Sequence, residues 1–212
     1  MITIHSVPGS PYGRAALIVC LEKGVTHRLA PIVGGSKGPE HLARHPFGRM
    51  PAIDHDGFGL YETQAILRYV DQIGAGPSLT PNDARAAARM NQVLGIIDCY
   101  FFADNSAKTL VFNRLVGPKF GVPTDEAAAA ASIPKTRRTL AVLAGFLEAA
   151  PYFAGEAFSL ADIHAGAHID MLRNTPEGPG LIAGTPIGPW LDRVAARPSF
   201  QATTWERLLE AA

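Results

Sequence analysis

The chain has 212 residues, 47% apolar and 18% charged, an ordinary globular composition with length for one large domain or two small ones. Nineteen basic and nineteen acidic residues cancel, so neither nucleic acid nor an anionic membrane is an expected partner. No apolar run approaches the roughly 18 residues of a spanning helix, and Met1-Ile2-Thr3-Ile4 reads as a first strand rather than a signal peptide.

Residues 2–6 are an expected strand, 15–24 a helix stopped by Gly24, and 27–33 a second strand. Strand, helix, strand implies a parallel pair with a right-handed crossover. A short helix near 38–44 precedes strands at 51–54 and 57–60, joined by a tight turn at Asp56-Gly57. A helix over 62–73 stops at Gly74, and 76–81 reads as a linker. Beyond it no convincing strand appears. Residues 82–115 and 124–149 are Ala-rich with helical period. Ser159-Leu160-Ala161-Asp162 resembles a capping box with Asp in place of Glu, and Phe158 and Ile163 form its hydrophobic staple, so a buried helix starts there and Asp162 is structural. The stretch 174–189 reads as loop, followed by two short helices. The expected architecture is a small α/β domain over 1–75 and an all-helical domain over 82–212.

Cys20 and Cys99 fall within apolar helical patterns and are expected as small buried hydrophobes of a reduced, intracellular protein. His164 and His168 stand four apart, a metal-ligand spacing. Without an evident third ligand on an apolar helix they read as core histidines, while His41, His45 and His55 are scattered in loops. No nucleophile–His–acid set, phosphate loop or metal cluster is legible.

The most informative stretch runs from Phe47-Gly48-Arg49-Met50-Pro51 through Leu60-Tyr61-Glu62-Thr63. A Pro that opens a strand belongs at an edge or bend, and a cis bond there would turn the backbone of Met50 outward. Met50 would then offer N–H and C=O to a peptide-like ligand. Glu62 and Thr63 would start a helix, where free N–H groups and the dipole favour a carboxylate. Together these describe a dock for a small zwitterionic peptide.

Arg44-His45-Pro46-Phe47-Gly48-Arg49-Met50-Pro51 followed by Leu60-Tyr61-Glu62-Thr63, with Pro8-Gly9-Ser10-Pro11-Tyr12 near the start, resembles the soluble glutathione transferases, and in particular their serine-type, phi-like group. The resemblance implies a thioredoxin-like N-terminal domain that binds glutathione and an all-helical C-terminal domain that supplies an electrophile pocket. It implies that Ser10 holds the glutathione thiolate. From residue types alone, Ser10-Pro11 is an N-cap with Pro at N1; one hydroxyl can accept from the backbone and donate to sulfur. Ser6 and Tyr12 compete for the sulfur, with Tyr12 the better pocket residue. By the same resemblance Glu62 takes the γ-glutamyl ammonium, Thr63 the carboxylate, and Met50, preceding Pro51, binds through its backbone. Arg49 stands where the family often has Gln and either reaches the ligand or is solvated. Lys37 lies in the region that contacts the glycine carboxylate. Tyr100, Phe101, Phe102, Asn105, Phe112 and Trp205 are candidates for the electrophile pocket, though any helical core holds such aromatics.

Phe47 occupies the place where related proteins insert an aromatic key into a partner subunit, so a cytoplasmic homodimer is expected. The expected reaction adds glutathione to a small apolar electrophile, with glutathione as co-substrate and no metal or bound organic cofactor. A glutathione-dependent peroxidase or isomerase, or a non-catalytic ligand-binding module, are the alternatives on the same fold.

Overall fold

A computed structural model of the chain describes residues 1–210, and they fall into two compact units. The first opens β1 (Ile2–Ser6), α1 (Pro11–Glu22), β2 (His27–Pro31), α2 (Pro39–Arg44), β3 (Ala52–His55), β4 (Phe58–Tyr61) and α3 (Thr63–Ile73). The sheet order is β2-β1-β3-β4, with β1 parallel to β2 and antiparallel to β3, and β3 antiparallel to β4. This is the mixed sheet the sequence implies. Asp56 and Gly57 close the β3–β4 hairpin with φ of 54° and 86°, the doubly positive turn that matches the twist of the two strands. α1 packs on α3 and on β1, and Ile2, Ile4, Ile18, Ile66, Leu67 and Val70 are fully buried.

The second unit, from Pro81 to Ala195, is helical throughout its regular elements. α4 (Ala84–Ile96) continues into a π-helical turn at Ile97–Phe101. α5 (Ala107–Val111) continues into a second one at Phe112–Val116 and then into α6 (Gly117–Lys119). α7 (Glu126–Phe146), α8 (Leu160–Arg173), α9 (Gly178–Ile182) and α10 (Ile187–Ala195) complete it. The helical-period run over 82–115 is therefore divided between separate helices. Polar turn residues Asp104, Asn105 and Ser106 interrupt it, with Asn105 at φ 57°, a conformation Asn tolerates better than most residues. Two helices also occupy much of the stretch expected as loop over 174–189.

α8 starts as expected. Asp162 is fully buried and closes a capping box with Ser159. One carboxylate oxygen accepts from the Ser159 N–H (3.0 Å) and hydroxyl (2.9 Å); the other accepts from the Phe153 N–H (3.1 Å) and Trp190 Nε1 (2.9 Å). Burial pushes its pKa up while these four donors oppose the rise. His164 and His168 are fully buried, His164 bonded to Asp98 at 2.7 Å and His168 to the His164 carbonyl at 2.7 Å.

Two findings revise the domain boundaries. After α10 the chain returns to the first unit as α11 (Pro198–Gln201) and α12 (Trp205–Glu210), so the helical unit ends near 195. Arg197 donates to the Glu22 carboxylate in α1 through Nε and Nη2, at 2.8 and 2.6 Å, and the Ser199 hydroxyl also donates to it. Burial raises the Glu22 pKa, but these bonds and the arginine charge outweigh it and hold the carboxyl below its usual range. The expected linker is also pinned. Lys23 and Asp71, each 3% exposed, pair at 3.1 Å; Lys23 donates to the Pro77 carbonyl (2.8 Å), and Asp71 accepts from the Leu79 N–H (2.9 Å) and the Thr80 hydroxyl (2.8 Å).

The cysteines differ from each other. Cys20 is buried, and burial pushes its thiol up to about 12. Cys99 is exposed, contrary to the expectation, because a residue two past the buried Ile97 points to nearly the opposite side of the helical turn.

Candidate functional site

Strand register gathers the candidate residues at one end of the sheet. His5 pairs with Ala52, and Ala52 with Tyr61. The chain leaving β1 toward Ser10, the chain entering β3 through Met50-Pro51, and the chain leaving β4 into Glu62-Thr63 therefore share that end. The Met50–Pro51 peptide is cis. Among the described residues neither the N–H nor the C=O of Met50 has a hydrogen-bond partner, an arrangement that leaves both groups available to a ligand.

A cavity of about 490 Å³ opens within the first unit, lined by Lys37, Phe47, Arg49 and Glu62. Three of the expected glutathione residues thus meet around one space. Met50, Pro51, Thr63 and Ser10 do not line it. Two cations and one carboxylate are set around it, and the ammonium of Lys37 also donates to the Phe47 carbonyl at 2.9 Å. Gly48 has φ 57°, and a side chain there would strike Ser36 and Lys37. Only glycine suits that turn.

Glu62 sits at the N-cap of α3 with φ 71° and makes no capping bond through its side chain. Its carboxylate is exposed and, among the described residues, has neither a hydrogen bond nor an ion pair. A left-handed conformation at a non-glycine residue is costly and recurs at ligand sites. Thr63, 6% exposed, is the first residue of α3, where the helix leaves N–H groups without intrahelical acceptors.

Ser10 caps α1, its hydroxyl accepting from the Gly13 N–H at 3.3 Å, with Pro11 at N1. The hydroxyl hydrogen is not used in that bond, so it remains able to donate to an anion at the positive end of the helix. Its competitor Ser6 is fully buried beneath α1, where a side chain on Gly13 would strike its hydroxyl. Burial withdraws Ser6 from direct ligand contact.

The pocket candidates divide between the units. In the first, the Trp205 ring lies against Gly9, where a Cβ would collide with it, and Tyr12 is half-buried on α1. In the second, Phe101 has no exposed surface, so its expected place in a pocket wall is corrected to the core. Phe102 is half-buried, edge-on to the His168 ring at 4.8 Å. The Asn105 N–H donates to the Thr109 hydroxyl at 2.9 Å, an exposed turn contact. Phe112 and Tyr100 are exposed.

Two residues read as scattered loop histidines lie under the 46–50 loop instead. His41, on α2, is bonded through Nε2 to the Arg49 carbonyl at 2.6 Å, and His45 stacks on Tyr61 at 4.8 Å. Each is 2% exposed. Desolvation, with smaller contributions from His41 and Arg49, outweighs the pull of Glu62 and lowers the His45 pKa. The sequence signal for them is a His four residues before the His of His45-Pro46-Phe47-Gly48, the spacing of one helical turn.

The family models described as glutathione S-transferase N-terminal domain and C-terminal domain match residues 4–78 and 98–198. Glutathione S-transferase 3 of Zea mays is 31% identical over 206 residues, covering 95% of this chain and 92% of the maize protein. Glutathione S-transferase F14 of Arabidopsis thaliana is 31% identical over 92% of this chain and 80% of its own. The solved structure of maize glutathione S-transferase I in complex with an atrazine glutathione conjugate superposes with a TM-score of 0.86 at 25% identity, covering 100% of this chain and 99% of the maize one.

Proposed function

This chain belongs to the glutathione S-transferase family, and from that premise we propose that it conjugates reduced glutathione to small apolar electrophiles through a thiolate held by Ser10. The observation that carries the binding half is the cavity bordered by Lys37, Arg49 and Glu62. Glutathione carries two carboxylates and one ammonium; the cavity rim carries two cations and one carboxylate. Glu62 takes the γ-glutamyl ammonium, the start of α3 at Thr63 its carboxylate, Lys37 and Arg49 the glycine end, and Met50 the peptide backbone.

The chemical half follows from the helix start. A free thiol has a pKa of about 8.5 and is mostly protonated at neutral pH. The Ser10 hydroxyl, donating to sulfur at the positive end of α1, stabilises the thiolate over the thiol. Serine cannot form the mixed disulfide of a reductase, so addition or displacement by the thiolate is the reaction it supports.

Conjugation of a generic aryl halide by the wild type and by Ser10→Ala tests this. Loss of one donor to a developing or resting anion lowers turnover by about 100-fold, with glutathione affinity little changed. Equal turnover in the two proteins would remove Ser10 from the chemistry. No turnover in either, with glutathione bound, would make the chain a binding module.

Phe47 is 64% exposed, and because it stands where related proteins carry an aromatic key, we assign it the role of a key into a second copy of the chain. Phe47→Ser is expected to sediment as a monomer; an unchanged species would refute that role. No helix among the described residues is long and apolar enough to cross a membrane. A cytoplasmic enzyme fits the glutathione chemistry, and recovery in a membrane fraction would contradict it.

A further inference from the structure

We propose that His41 is a positioning residue of the glutathione site, aiming the Met50 N–H at the ligand by holding the carbonyl on the other side of the same peptide bond. The inference rests on the glutathione reading. His41 is on α2, 2% exposed, and its Nε2 lies 2.6 Å from the Arg49 carbonyl oxygen. A carbonyl oxygen only accepts, so Nε2 carries the hydrogen.

The Arg49 C=O and the Met50 N–H belong to one planar trans unit and point in opposite directions. A buried donor that draws the carbonyl inward therefore turns the N–H outward. That N–H has no acceptor of its own among the described residues. On the other side of Gly48, Lys37 holds the Phe47 carbonyl at 2.9 Å. Two side chains four residues apart thus fix the carbonyls on both sides of a turn that has no strand or helix to hold it. Without His41 the part-buried Arg49 carbonyl would lose its partner, or the peptide would rotate toward water and carry the Met50 N–H with it.

His41→Leu removes the donor, and His41→Gln restores one of similar reach. Glutathione affinity by calorimetry is expected to fall about tenfold in the Leu variant, the effect of one hydrogen bond of ~1.4 kcal/mol. Turnover at saturating glutathione should stay within about twofold, and Gln should recover most of the affinity. In the wild type, ¹⁵N shifts of the imidazole should place the proton on Nε2, a readout that needs no variant to fold. A proton on Nδ1 alone, unchanged affinity in the Leu variant, or a Gln variant no better than Leu would overturn the proposal. If the wild type itself does not bind glutathione, the site reading falls together with this one; if it binds and His41→Leu binds equally well, only this one falls.

Discussion

Glu62 and Asp162 are both carboxylates in the first turn or cap of a helix, and the protein uses them in opposite ways. Asp162 is fully buried, and each of its oxygens accepts from two donors, which join the start of α8 to Phe153 and Trp190. Glu62 is exposed at the start of α3, makes no capping bond, and holds a left-handed backbone. A carboxylate whose hydrogen-bonding capacity is filled inside the fold stabilises it. One held in a costly conformation with its oxygens facing a cavity is available to something outside the chain. Sequence position at a helix start does not distinguish them; the partners do.

Asp162→Ala should have the largest effect, and on folding. It strands two backbone N–H groups and the Trp190 N–H in the core, and a loss of about 3–5 kcal/mol of stability is expected in denaturant unfolding. A loss below about 1 kcal/mol, the scale of an ordinary exposed cap, would show that Asp162 is not the organising residue of the unit.

Glu62→Ala should do the reverse, weakening glutathione binding about tenfold or more by loss of a charge-assisted contact. Unfolding should barely change. Glu62→Gly sharpens the contrast further. It loses the same contact but relieves the φ of 71°, so it should be more stable than the Ala variant by about 1 kcal/mol. Equal stability of the two would mean that the backbone there is not strained, and undiminished affinity in either would mean that Glu62 does not meet the ligand.

The β3–β4 hairpin, the bend at Pro51 and the start of α3 were legible because they are local. Pro51, the Asp56-Gly57 turn and the Glu62-Thr63 helix start lie within a few residues of one another, and hairpin pairing converts their spacing into geometry. The Ser159–Asp162 box was legible for the same reason. The return of α11 and α12 to the first unit was not, since the Glu22–Arg197 pair joins residues 175 apart and leaves no local trace. His41 escaped because a single histidine on a six-residue helix has no periodic context; its meaning lies in a carbonyl eight residues away. Phe101 was misplaced because an apolar aromatic on a helix reads alike whether it lines a pocket or fills a core.

Ser10 is proposed to stabilise the ionised sulfur of bound glutathione. Thiolate absorbance of the protein–glutathione complex, followed against pH, measures that ionisation directly. For the wild type the midpoint should fall to about pH 7, against about 8.5 for a free thiol, and Ser10→Ala should return it close to the free value. The same low midpoint in both proteins, or no lowering in the wild type, would remove Ser10 from thiolate stabilisation.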